Sequence, residues 1–103
     1  MTLTAPNRAE RAATRVRIPG LLRSYTGGAA TVDVDAPGAA STVADVLAAL
    51  DARFPGLRFR LVDEQGAVRP HIKLFVARAI ARDLTTVIPA GAELMIVGAL
   101  SGG

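Results

Sequence analysis

Cysteine is missing from the chain altogether. That removes disulfides, thiolate metal sites and a cysteine nucleophile, and any sulfur the protein handles must come from elsewhere. Tryptophan is also missing, Tyr25 is the single tyrosine, and Phe54, Phe59 and Phe75 are the remaining aromatic residues. A base-stacking platform would have to rest on those three rings. No nucleic-acid partner is expected, although basic residues exceed acidic ones by three. Eleven of the twelve basic residues are arginine and Lys73 is the one lysine, a bias that a GC-rich genome also produces. His71 is the single histidine. It has no ligand partners at metal spacing, so it reads as a surface or packing residue and no metal site is expected. No apolar run approaches the roughly 18 residues of a membrane-spanning helix, and residues 1–13 hold no apolar signal segment. The expectation is a cytoplasmic protein with no membrane partner.

What is present is enough for one core. Half of the 103 residues are hydrophobic, which argues against a disordered chain and fits a single modest domain. Residues 1–13 read as a loose arm, residues 14–98 as the domain and residues 99–103 as a flexible tail. Thr14–Ile18 alternates, with Val16 and Ile18 inward and Arg15 and Arg17 outward. Ala30–Asp35 does the same with Val32 and Val34 inward. The two predict an antiparallel hairpin across Pro19–Gly28, its outward faces oppositely charged. Asp33 and Asp35 have no third carboxylate or histidine nearby and read as a solvated strand face.

After Pro37-Gly38, Val43, Val46, Leu47, Leu50 and Phe54 fall on one helical stripe. Ser41 or Thr42 is the candidate N-cap and Asp45 sits in the first turn. Pro55-Gly56 ends that helix, predicted over 42–54. Leu57–Leu61 fits either a strand or a short helical turn. Ile72–Val76 predicts a third strand, Ala77–Ala79 a turn, Ile80–Arg82 a return, and Thr85–Gly91 a loop anchored by Val87 and Ile88. Glu93–Val97 predicts a last strand, apolar on both faces. One face must pack on the helix, and the other is left as an apolar patch of the kind that marks a binding surface.

The sequence then runs through Gly98, Ala99, Leu100 and Ser101 to Gly102 and Gly103. Glycine is a poor way to end a strand for stability. It is a good way to make a thin tail that carries an α-carboxylate into a narrow channel.

Arg17-Ile-Pro with Tyr25-Thr-Gly-Gly28, the Thr42-Val-Ala-Asp-Val-Leu helix start, Leu74-Phe-Val76, Ile88–Leu94 and Ala99-Leu-Ser-Gly-Gly103 together resemble the MoaD/ThiS family of ubiquitin-like sulfur carriers. The likeness spans about Thr14 to Gly103, and the length and the 63–71 insertion look more like the CysO and long MoaD types than the short ThiS type. Ala77-Arg78-Ala79 departs from the Asn-Gly or Asn-Asp usual in that turn, Ala90-Gly91-Ala92-Glu93 from the usual Asp-Gly-Asp-Glu, and Gly98-Ala99-Leu100 from the usual residues before the tail.

The resemblance implies an α+β β-grasp (ubiquitin-like) fold, a mixed sheet of four to five strands with one main helix on one face. It implies a carrier rather than an enzyme, with no bound cofactor. An E1-like (MoeB/ThiF-type) partner would use ATP to adenylate the Gly103 carboxylate, with Gly102 keeping the tail narrow. A sulfur donor would leave a thiocarboxylate, and a sulfur-accepting synthase would consume it in molybdopterin, cysteine, thiamine or other sulfur metabolism. Ala99, Leu100 and Ser101 would thread the partner, and Phe75, Met95 and Val97 would form its docking patch; ordinary core packing is the alternative role for Phe75 and Met95. The rival readings are a protein modifier joined to lysines through Gly103, and a β-grasp binding module that is never activated.

Overall fold

A computed structural model describes residues 13–35 and 41–98. The strands are β1 (Thr14–Arg17), β2 (Thr31–Val34), β3 (Ser41–Thr42), β4 (Ile72–Val76), β5 (Ala79–Ala81), β6 (Val87–Ile88) and β7 (Glu93–Gly98). The helices are α1 (Val43–Arg53) and α2 (Leu57–Leu61), with one 3-10 turn at Gly20–Leu22. Five strands form one mixed sheet in the order β2-β1-β7-β4-β5, and β3 and β6 form a separate antiparallel pair. β1 runs parallel to β7, with Val16 beside Leu94, and each is flanked by an antiparallel neighbour. This is the β-grasp architecture that the resemblance implies.

Alternation decides which side of the sheet is dry. Val16, Val32, Val34, Leu74, Leu94 and Ile96 are buried on one face, and Val43, Val46, Leu47 and Leu50 of α1 close over them. Each fully buried aliphatic side chain of this kind contributes about 1.5–3 kcal/mol of transfer free energy.

Helix α1 starts where the sequence places it. Of the two N-cap candidates Thr42 takes the role: its hydroxyl accepts from the Asp45 N–H at 3.2 Å, and its own N–H donates to Asp45 Oδ2 at 2.9 Å. Such a capping box is worth about 1 kcal/mol. The Val43 and Ala44 N–H groups would otherwise have no partner in the first turn; they donate to the Thr86 and Leu84 carbonyls. The segment read as a loop over 85–91 therefore holds a short strand, β6, and closes the start of α1. At the other end, Asp51 Oδ1 accepts from the Gly56 and Arg58 N–H groups at 3.0 and 3.1 Å, and Gly56 adopts φ +95°. This turn starts α2, so Leu57–Leu61 takes the helical alternative, with Leu57 and Leu61 buried.

The β4–β5 turn is made at a cost. Ala77 and Arg78 have φ of 49° and 75°, the left-handed region that glycine or asparagine enters with least strain. Two successive positive φ values suit the right-handed twist of a tight hairpin, and here Ala77 and Arg78 hold the turn without the residues that relieve it.

Candidate functional site

The face of the sheet away from α1 carries the outward residues of every strand, and among the described residues no element covers it. Its two halves differ. On the β2–β1 side the outward residues are charged and matched: Arg15 Nε donates to Asp33 Oδ1 at 3.1 Å, and Arg17 Nε to Glu93 Oε2 at 2.9 Å. The Asp33 carboxylate raises the Arg15 pKa, chiefly through that hydrogen bond. Both pairs are exposed, so solvent screens them and they add little to stability.

On the β7–β4–β5 side, Glu93 and Lys73 apart, the outward residues form an apolar group. Met95 stands opposite Phe75, and Phe75 opposite Ile80. Val97, 37% exposed, and Ile80, 41% exposed, complete the patch, while Met95 and Phe75 are half-buried. The structure thus brings the predicted Phe75, Met95 and Val97 together on the open face, while Leu94 and Ile96 point to the core. Ile80 belongs with them and was not among the predicted residues. Its signal was the register of β5 against β4: a residue opposite an outward Phe75 must also face outward.

Met95 and Val97 also line a shallow cleft of about 310 Å³ with Arg17, Pro19, Arg23 and Gly98. The cleft runs along β7 to Gly98, the last described residue. There the backbone passes tightly over Leu21: a Cβ on Gly98 would lie 2.5 Å from Leu21 Cδ2, inside any normal contact. A side chain at this position would have to push Leu21 aside. The remaining predicted site residues, Ala99, Leu100, Ser101, Gly102 and Gly103, lie outside the described residues, as does the predicted arm except for Ala13.

The other candidates resolve into structural roles. Asp33 is an ion-pair partner, and among the described residues no group of three His, Asp or Glu side chains is placed to hold a metal ion. The three phenylalanines do not share a platform. Phe54 packs against the core, Phe59 lies under the Arg69 guanidinium at 4.5 Å, and Phe75 belongs to the apolar patch. His71 is exposed at the rim of a cleft with Phe59, Arg60 and Arg69. No helix among the described residues is long and apolar enough to cross a membrane.

No family profile and no curated protein sequence matches the chain. Solved structures do. A chain of the BexX/CysO complex from Amycolatopsis orientalis is 32% identical, with a TM-score of 0.75 over 88% of this chain and 100% of that one. CysO of Mycobacterium tuberculosis is 29% identical, with a TM-score of 0.72 over 84% of this chain and 99% of that one. SAMP1 of Haloferax volcanii, a small archaeal modifier protein, is 29% identical, with a TM-score of 0.74 over 89% of this chain and 100% of that one.

Proposed function

Because the chain belongs to the MoaD/ThiS family of ubiquitin-like sulfur carriers and modifiers, we propose that it is a sulfur carrier, activated at its C-terminal carboxylate by an E1-like, ATP-dependent enzyme. The observation that carries this reading is the likeness to CysO proteins over nearly their whole length. The apolar open face supports it too, since its cleft leads to the residue from which the tail departs.

A carboxylate is a poor acyl donor because its oxygen is a poor leaving group. In the proposed reaction a Gly103 carboxylate oxygen attacks the α-phosphorus of ATP, a new P–O bond forms, and pyrophosphate leaves. A hydrosulfide-level donor then adds to the acyl carbon, the bond to AMP breaks, and a thiocarboxylate remains on Gly103. All of the acid–base and metal chemistry belongs to the partner, and the carrier contributes a narrow tail and a face to hold. Gly102 and Gly103 add no Cβ, Ala99, Leu100 and Ser101 fill the partner's channel, and Phe75, Met95 and Val97 dock against its surface. A synthase in the same compartment, the cytoplasm, accepts the sulfur.

The test uses the full chain, the E1-like enzyme of the same organism, ATP and sulfide. Intact-mass measurement is expected to show an oxygen-to-sulfur exchange. Deleting Gly103, or extending the chain past it, is expected to abolish that product while leaving the thermal melt unchanged. Product formed as well by such variants would remove the mechanism.

The likeness to SAMP1 favours a second reading, in which Gly103 is joined to lysines of other proteins. Covalent adducts of the tagged chain in cells, released as Gly103-linked peptides on digestion, would favour it over the carrier reading.

A further inference from the structure

The cations of the open face are not distributed evenly with respect to their partners. Arg15 and Arg17 each meet a carboxylate, and Arg23 donates to the Ile18 carbonyl. Lys73 and Arg82 make no ion pair or side-chain hydrogen bond among the described residues. Leu74 is paired with Ala81, so Lys73 and Arg82 flank the last paired step of β4 and β5. They share a pocket of about 180 Å³ with Arg69 and Ile80, and no carboxylate lines it. Like charges set across neighbouring strands destabilise the pairing. This arrangement works against the hairpin, and neither cation is held by an ion pair among the described residues.

The pocket is continuous with the apolar patch. Ile80 belongs to both, and Lys73 stands opposite Val97. A nucleic acid would use the cations and leave the aliphatic patch uncovered. A protein surface that sets an apolar contact beside carboxylates would satisfy both. We propose that the β4–β5 side of the open face is the charge-reading half of the docking site, and that the adenylating partner meets Lys73 and Arg82 with an acidic flank beside its apolar contact. This rests on the carrier reading and adds a polarity to it. The β1 side, internally neutralised, meets the partner with no net demand for charge, so the partner can seat in one orientation only.

The experiment measures binding of the full chain to the E1-like enzyme of the same organism without ATP, at low and at high salt. Wild type is expected to bind less tightly as salt rises. Lys73→Glu with Arg82→Glu is expected to bind about tenfold more weakly or worse, with a flatter salt dependence. The neutral pair Lys73→Gln with Arg82→Gln should fall between and melt no lower than wild type, since it removes a like-charge juxtaposition. Arg15→Gln, on the neutralised side, should bind as wild type does. Equal affinity of the wild type and the Glu double variant, or no binding by wild type, overturns the proposal. So does a mixed-sequence single-stranded oligonucleotide that binds through Lys73 and Arg82 while enzyme affinity is unmoved. Thiocarboxylation assayed in parallel separates the two readings. Product from both proteins at equal KM leaves the carrier reading standing and removes this one. Salt-sensitive, charge-dependent binding with no product from wild type does the reverse.

Discussion

Leu94 and Met95 are adjacent in the chain and sit on opposite faces of the sheet's central strand. Leu94 is fully buried beside Val16 and under α1. Met95 is half-buried between Arg17 and Phe75 and looks outward. The first face is made of aliphatic groups that have no use except to be dry. The second mixes apolar, paired and unpaired charged groups that a single domain gains little by displaying. Stability is concentrated on one side of the strands, and the proposed docking on the other, so substitutions one residue apart should have different consequences.

The largest effect tests that division directly. Leu94→Ala is expected to lower unfolding free energy by about 2–5 kcal/mol in denaturant titration. Met95→Ala, which removes a partly exposed side chain, should cost about 1 kcal/mol or less while raising the KM of the carrier in thiocarboxylation. Comparable losses of stability from the two would break the comparison. A smaller effect of opposite sign is expected at the outer edge of the recognition side. Ala77→Asn with Arg78→Gly should raise stability by about 1–2 kcal/mol, because both positions then tolerate positive φ. An unchanged denaturation midpoint would mean that the turn stores no strain.

The smallest effect lies outside both faces. The Asp63 carboxylate accepts from the Ala67 and Gln65 N–H groups, and these bonds, Ala67's first, hold its pKa below the usual carboxylate range. The Thr85 hydroxyl and N–H do the same for Asp83. A carboxyl with a lower pKa in the folded than in the unfolded chain adds stability above its unfolded pKa, and that contribution is lost as pH falls through the folded value. Stability should therefore be level from neutral pH to about 5 and fall below about 4. Asp63→Asn with Asp83→Asn should flatten the fall. An equally steep acid loss in that variant would place its origin elsewhere.

Much of the framework was legible because it is periodic or punctuated. Val16 and Val32 alternate with charged neighbours, the α1 stripe repeats at helical spacing, and Pro55-Gly56 marks a stop. Element boundaries differ from expectation by one residue in most cases: Thr14–Arg17 for Thr14–Ile18, Thr31–Val34 for Ala30–Asp35, and Glu93–Gly98 for Glu93–Val97. The two-residue strands β3 and β6 were not legible. Two residues carry no period, and this pairing exists because tertiary closure brings Thr86 and Leu84 to the start of α1. The isolated bridge between Val62 and Val68 carries no sequence period either. Leu57–Leu61 was ambiguous because five residues fit either alternation or one helical turn, and the Asp51 carboxylate, six positions upstream of Leu57, decides it by capping the turn.

The site was legible to the extent that it follows from alternation. Phe75, Met95 and Val97 are outward because their neighbours are inward. The placement of Lys73 and Arg82 on either side of the Leu74–Ala81 pair could not be read, since it depends on the register between two strands and sequence patterning leaves that register open by steps of two.

The placement of β7 has a consequence for synthesis on the ribosome. It is the last described element in the chain, yet it occupies the middle of the five-stranded sheet. The β1–β2 and β4–β5 hairpins can each pair as they emerge, but nothing joins them until β7 follows. A nascent chain stopped short of Glu93 would hold two hairpins with no central strand and a core without Leu94 and Ile96. The strand that completes the domain also precedes Gly103, so on the carrier reading proposed above a tail could be offered for activation only by a chain that already carries its central strand.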